Sequence, residues 1–151
     1  MKYFAYLIAI LLITLSSKSF ALENWKFFKD VEYCFIQSNP VKTDIPEGKK
    51  RGEYGLLVYT MHKNPDLIIQ ISAGFDYKSS DSIVVVIDEG NYEFYTDEDT
   101  AWAKDDKKTI YAMKKGLKFI VSSISKKGTK VVDTYSLKGF TAAVNKLSKD
   151  C

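Results

Sequence analysis

The chain has 151 residues, 22 of them lysine or arginine against 19 acidic, for a net charge of +3, and 46% are hydrophobic. This length suits one domain rather than two, and a charge so near balance gives no general case for nucleic-acid binding. Only one histidine and two cysteines are present. They leave zinc without a recognisable ligand set and offer a triad enzyme little to work with, since no Gly-x-Ser-x-Gly elbow accompanies His62.

The N-terminus reads as an export signal. Lys2 precedes an apolar run from Tyr3 to Leu15, and Ser19-Phe20-Ala21 places small residues where a signal peptidase cuts. Cleavage is expected after Ala21, leaving a domain over 22–151. The apolar run is shorter than the ~20 residues needed to cross a bilayer, which disfavours an uncleaved anchor. Removing Lys2 and Lys18 brings the net charge to +1.

Strand patterns dominate the middle of the chain. The candidates are 33–37, 54–62, 67–73, 82–87, 92–96, 118–123 and 130–136. Cys34 and Ile36 share one face of the first by period two. Residues 39–50, with Pro40, Pro46 and Gly48, read as a loop, and Asn64-Pro65-Asp66 reads as a reversal because proline cannot donate to a ladder. Asp88-Glu89-Gly90-Asn91 predicts a tight hairpin, its glycine and asparagine suited to positive φ. Seven strands are enough for a β-sandwich.

Asp88 to Asp106 holds eight acidic residues and one lysine, and 107–130 holds eight lysines and no acid. Asp97, Glu98, Asp99, Asp105 and Asp106 could supply oxygen ligands to calcium or paired carboxylates to a hydrolase, but their spacing matches no calcium loop. A solvated acidic loop is the preferred reading, with Trp102 anchoring it to the core. Lys114, Lys115, Lys118, Lys126, Lys127 and Lys130 form a candidate anionic-ligand patch. Lipid phosphate or an acidic polysaccharide suits an exported protein better than single-stranded nucleic acid.

A short helix is predicted over 106–115, ended by Gly116 and with Lys114 and Lys115 in its last turn. Gly128 can reverse the chain between 118–123 and 130–136. A second helix is predicted over 137–148 with Ser136 as N-cap, since Leu137, Phe140, Val144 and Leu147 form one apolar stripe. Gly139 in its first turn would allow close approach to the sheet. Cys151 continues the stripe, so a Cys34–Cys151 disulfide is expected, with both thiols pointing inward.

The segment 125–143, and above all Ser136-Leu137-Lys138-Gly139-Phe140-Thr141-Ala142-Ala143, resembles the C-terminal signature of the invasion-associated locus B family of exported alphaproteobacterial proteins. Trp25 ahead of Cys34 and the step Ala112-Met113-Lys114-Lys115-Gly116 are similar as well. The sequence departs from the family at Lys127, where members often carry arginine, and some members have more cysteines. The resemblance implies an immunoglobulin-like β-sandwich in the periplasm or outer envelope, or secreted, with no enzymatic activity and no cofactor. The first functional reading is a protein that binds another protein or an anionic envelope or host-surface component, with peripheral membrane association. The alternatives are a periplasmic hydrolase using acids of 88–106 and an envelope stress or assembly accessory protein.

Overall fold

A computed structural model describes residues 24–78 and 82–151. The expected export segment, 1–21, lies outside the described residues. Ten strands form one continuous antiparallel sheet: β1 Lys26–Lys29, β2 Tyr33–Ser38, β3 Lys42–Asp44, β4 Gly55–Met61, β5 Asn64–Ser72, β6 Ser82–Ile87, β7 Gly90–Asp97, β8 Thr100–Ala103, β9 Lys118–Ile124 and β10 Lys130–Ser136. Their order is β1-β2-β4-β5-β8-β7-β6-β9-β10-β3, and the sheet curls into a half-barrel. Helix α1 spans Asp106–Lys115 and α2 spans Phe140–Asp150.

The expectation of a mainly β domain with two helices therefore holds. The two-sheet immunoglobulin-like arrangement is not what the described residues show, because the ladder runs unbroken through all ten strands. Strand count does not reveal where a ladder breaks. Here α2 is packed against β1, β2 and β4 and supplies apolar cover that a second sheet would otherwise give. Among its residues Phe140, Ala143, Val144 and Leu147 are buried, and the Phe140 ring lies 4.9 Å from that of Trp25.

Three strands were hidden from sequence reasoning. β1 and β3 are edge strands of four and three residues carrying Lys26, Lys29 and Lys42, too short and too charged to show a pattern. β8 turned out to lie in the segment read as an acidic loop. There Ala101 and Ala103 face the core, whereas Trp102 is only half-buried and pairs with Gln70 and Tyr95 on the other face of the sheet. The expected core anchor is thus two alanines, and Trp102 instead meets Tyr59 edge to face at 6.2 Å. Pro65 does not end the ladder either, since it is the second residue of β5 and sits beside a bulge between Tyr59 and Met61.

The 88–91 hairpin exists, but Asp88 and Glu89 form its loop and Asp88, not Gly90 or Asn91, takes positive φ, at 50°. The Asp88 carboxylate compensates by accepting from the amides of Leu117 and Lys118 at 3.1 and 3.0 Å. Helix α2 likewise begins later than Ser136. Gly139 is its N-cap with φ of 84°, and an added Cβ there would meet no atom within 4 Å. Glycine is therefore required by backbone conformation, not by close approach to the sheet. Replacing Gly139 with valine is expected to cost about 1 to 2 kcal/mol, the penalty of a left-handed conformation for a side chain with Cβ. An unchanged denaturant midpoint would contradict this.

Cys34 and Cys151 are joined across 117 residues with their Cα atoms 5.8 Å apart. Cys34 is fully buried on β2, and Cys151 follows α2 with its amide donating to the Leu147 carbonyl. The bond ties the end of α2 to the sheet that the helix covers.

Candidate anion-binding site

Asp133 lies at an inward position of β10, between buried Val131 and Tyr135. A carboxylate in that row needs a cation, and Arg51, the only arginine in the sequence, supplies it. Both guanidinium nitrogens reach the Asp133 carboxylate at 2.7 Å, and the two side chains are only 5% and 6% exposed. Thr43 donates to the same carboxylate at 2.7 Å, Arg51 also donates to the Ala73 carbonyl, and the guanidinium lies 3.5 Å from the centre of the Tyr54 ring. Burial opposes the charge of Arg51, but the hydrogen bonds and charge of Asp133 more than offset it, leaving the pKa above its ordinary value.

This pair pins the 45–54 segment against the sheet. A turn at 46–49 with Gly48 at φ of 74°, and a hydrogen bond from the Gly52 amide to the Gly74 carbonyl, place Lys49 and Lys50 beside it. On the opposite side, the β9–β10 turn is set by Gly128 at φ of 81° and by Thr129 donating from its amide to the Ser125 hydroxyl. That turn presents Lys126 and Lys127. Between the two segments lies a cleft of about 560 Å³ whose wall includes Lys49, Lys50, Arg51, Lys126 and Lys127. Among the described residues Asp76 is its only acidic lining residue, and it is paired with Lys126 at 3.2 Å. No ion pair among the described residues engages Lys49, Lys50 or Lys127.

The six lysines singled out from sequence divide into two groups. Lys114 and Lys115 end α1 and Lys118 begins β9, whereas Lys126, Lys127 and Lys130 cluster at the other end of the β9–β10 hairpin. Seven strand residues separate the groups by roughly 20 Å. Lys49, Lys50 and Arg51 were missed because they lie in a composition-poor loop. The one available signal was Asp133 itself, a carboxylate in the inward row of a strand in a chain with a single arginine.

The acidic block serves the fold. Asp105 caps α1 by accepting from the Lys108 amide at 2.9 Å, Asp106 accepts from the Ile69 amide at 2.8 Å, and Glu93 pairs with Lys104. Asp66, Asp105 and Asp106 line a second cleft of about 730 Å³ together with Lys104, Lys107 and Lys114. Asp97 and Asp99 lie instead at the β7–β8 turn, so of the carboxylates suggested for calcium or hydrolysis only Asp105 and Asp106 share a cleft. Burial pushes the Asp106 carboxyl up, against the pull of the Ile69 amide, and the charges of Asp105 and Asp66 add to the rise. Because the folded pKa lies above the unfolded one, the stabilisation it brings is complete at low pH and is lost as pH rises through the folded value. Asp106→Asn is therefore expected to gain stability relative to the unmodified chain as pH rises from about 3 to about 6. Parallel melting curves across that range would contradict it.

A curled antiparallel sheet, clasped by one disulfide to a terminal helix and bearing a basic cleft at one end, defines a disulfide-tied, mainly β class of domain. The family model described as Invasion associated locus B (IalB) protein matches residues 28–148, and the chain belongs to that family. Its fold is similar to the crystal structure of invasion associated protein b from Bartonella henselae, with a TM-score of 0.59 and 16% sequence identity over 82% of this chain and 90% of that one. No curated protein matches the sequence.

Proposed function

We propose that this chain is an exported envelope protein that acts by binding rather than by catalysis, and that its basic cleft holds an oxyanion-bearing ligand of the envelope or host surface. The ligand chemistry is that of a lipid headgroup phosphate or the acidic groups of a polysaccharide. The observation that carries this reading is the convergence on one cleft of Lys49, Lys50 and Lys127, which come from two distant segments and have no ion-pair partner among the described residues. Its volume suits a sugar- or headgroup-sized group, and cations without protein partners attract anions over a distance set by salt. Export through residues 1–21, with removal after Ala21, and a periplasmic or outer-envelope location complete the reading, which the disulfide supports.

The test is binding to vesicles containing an anionic phospholipid and, in parallel, to an acidic polysaccharide. Lys50→Glu combined with Lys127→Glu should weaken binding at least tenfold, and added salt should weaken it further. Lys114→Glu with Lys115→Glu, at the far end of the hairpin, should change it little. Binding indifferent to salt and to the cleft substitutions would overturn the proposal, and the stronger of the two arms identifies the ligand source.

A further inference from the structure

We propose that Cys34, His62 and Cys151 form a redox-gated site for a thiophilic divalent cation such as zinc or cadmium, closed while the disulfide stands and opened by a dithiol reductant. Sequence separation conceals the set, since the residues come from β2, the β4–β5 turn and the end of α2. In the fold their two sulfurs and one ring nitrogen all lie within 4.8 Å of one another. The Cys151 sulfur is 3.6 Å from Nδ1 of His62. Metal–sulfur and metal–nitrogen bonds of about 2.3 and 2.0 Å at tetrahedral angles place such ligand atoms roughly 3.5 to 3.8 Å apart.

The histidine is also oriented for this role. Its Nε2 lies 3.0 Å from the Asp30 carbonyl oxygen. With its proton on Nε2, donated to that carbonyl, His62 presents the Nδ1 lone pair to a cation, the outer-sphere arrangement common to metal-bound histidines. Nδ1 meanwhile faces the Cys151 carbonyl oxygen at 3.1 Å. A cation bound at Nδ1 takes the place of that contact. Cys34 is fully buried and His62 exposed, so an ion would enter from the His62 side and keep its fourth position toward solvent.

The chemistry balances. A dithiol reductant gives two electrons and two protons, the Cys34–Cys151 bond breaks into two thiols, and the reductant becomes a disulfide. Cation binding then displaces both thiol protons, while His62 contributes a lone pair. Helix α2 remains docked through buried Phe140, Val144 and Leu147.

The test titrates cadmium into the mature chain after reduction and removal of the reductant under anaerobic conditions, with circular dichroism reporting the fold. The reduced protein should show thiolate-to-cadmium absorption that saturates at one ion per chain, and the oxidised protein should show none. In the reduced form, His62→Gln should bind at least tenfold more weakly. Equal binding by His62→Gln, equal binding by the oxidised protein, or absence of saturable absorption would overturn the proposal. So would a reduced chain that unfolds and binds through its thiols irrespective of His62.

Discussion

Replacing Arg51 with methionine should destabilise the protein by roughly 3 to 5 kcal/mol, the cost of stranding a buried charge whose partner is removed. The Asp133 carboxylate would keep the Thr43 hydrogen bond but lose both guanidinium contacts at 2.7 Å, in a position only 6% exposed. Lysine should rescue poorly, because a single ammonium cannot reproduce the two-pronged contact with the carboxylate and the stacking on Tyr54. The double replacement Arg51→Met with Asp133→Leu should recover much of the loss, since a well-packed apolar pair often equals a buried ion pair. Urea unfolding of the three variants measures this directly. A single Arg51→Met as stable as the unmodified chain would mean that the pair does not hold the 45–54 segment in place.

Replacing Cys151 with serine removes a bond that closes 117 residues. Chain entropy alone gives roughly 4 to 5 kcal/mol for a loop of that size, and ~2 to 4 kcal/mol is the usual yield. For a domain of this length that corresponds to a melting temperature lower by roughly 5 to 15 °C. The fold should persist, because the stripe Phe140, Val144 and Leu147 and the Trp25–Phe140 contact are independent of the sulfur. Loosening should be confined to the end of α2 and the 30–33 and 62–63 turns it touches. A melting temperature equal to that of the disulfide-bonded chain would contradict the clasp.

Local chemistry made some elements legible. Helix α1 lies at 106–115 as expected because Gly116 and a lysine-rich last turn mark its end. Strands β6 and β10 match the predicted 82–87 and 130–136 because their β-branched runs are bounded by turn residues. The disulfide followed from the helical stripe that carries Cys151. What escaped was determined by partners distant in sequence. β3 exists because Lys42, Thr43 and Asp44 pair with β10, and nothing within those three residues predicts it. Trp102 was assigned inward by its size, whereas the pleat gave the inward positions to Ala101 and Ala103. The lysine patch failed to form one surface because sequence proximity within a hairpin does not bring its two ends together. Lys49 and Lys50 entered the cleft only because Arg51 reaches across 82 residues to Asp133.

The cleft and the cysteine–histidine cluster lie on different elements, so they can be tested separately. Failure of cadmium binding would leave the anion site intact, and loss of anion binding would leave the cysteine chemistry intact. The most direct test of the central claim is nuclear magnetic resonance of the isotope-labelled chain titrated with glycerol phosphate and, separately, with an oligosaccharide of uronic acids. Saturable amide shifts concentrated at 49–52, 74–76 and 125–129 are the predicted result. Shifts centred on 114–118, or none that saturate, would contradict it.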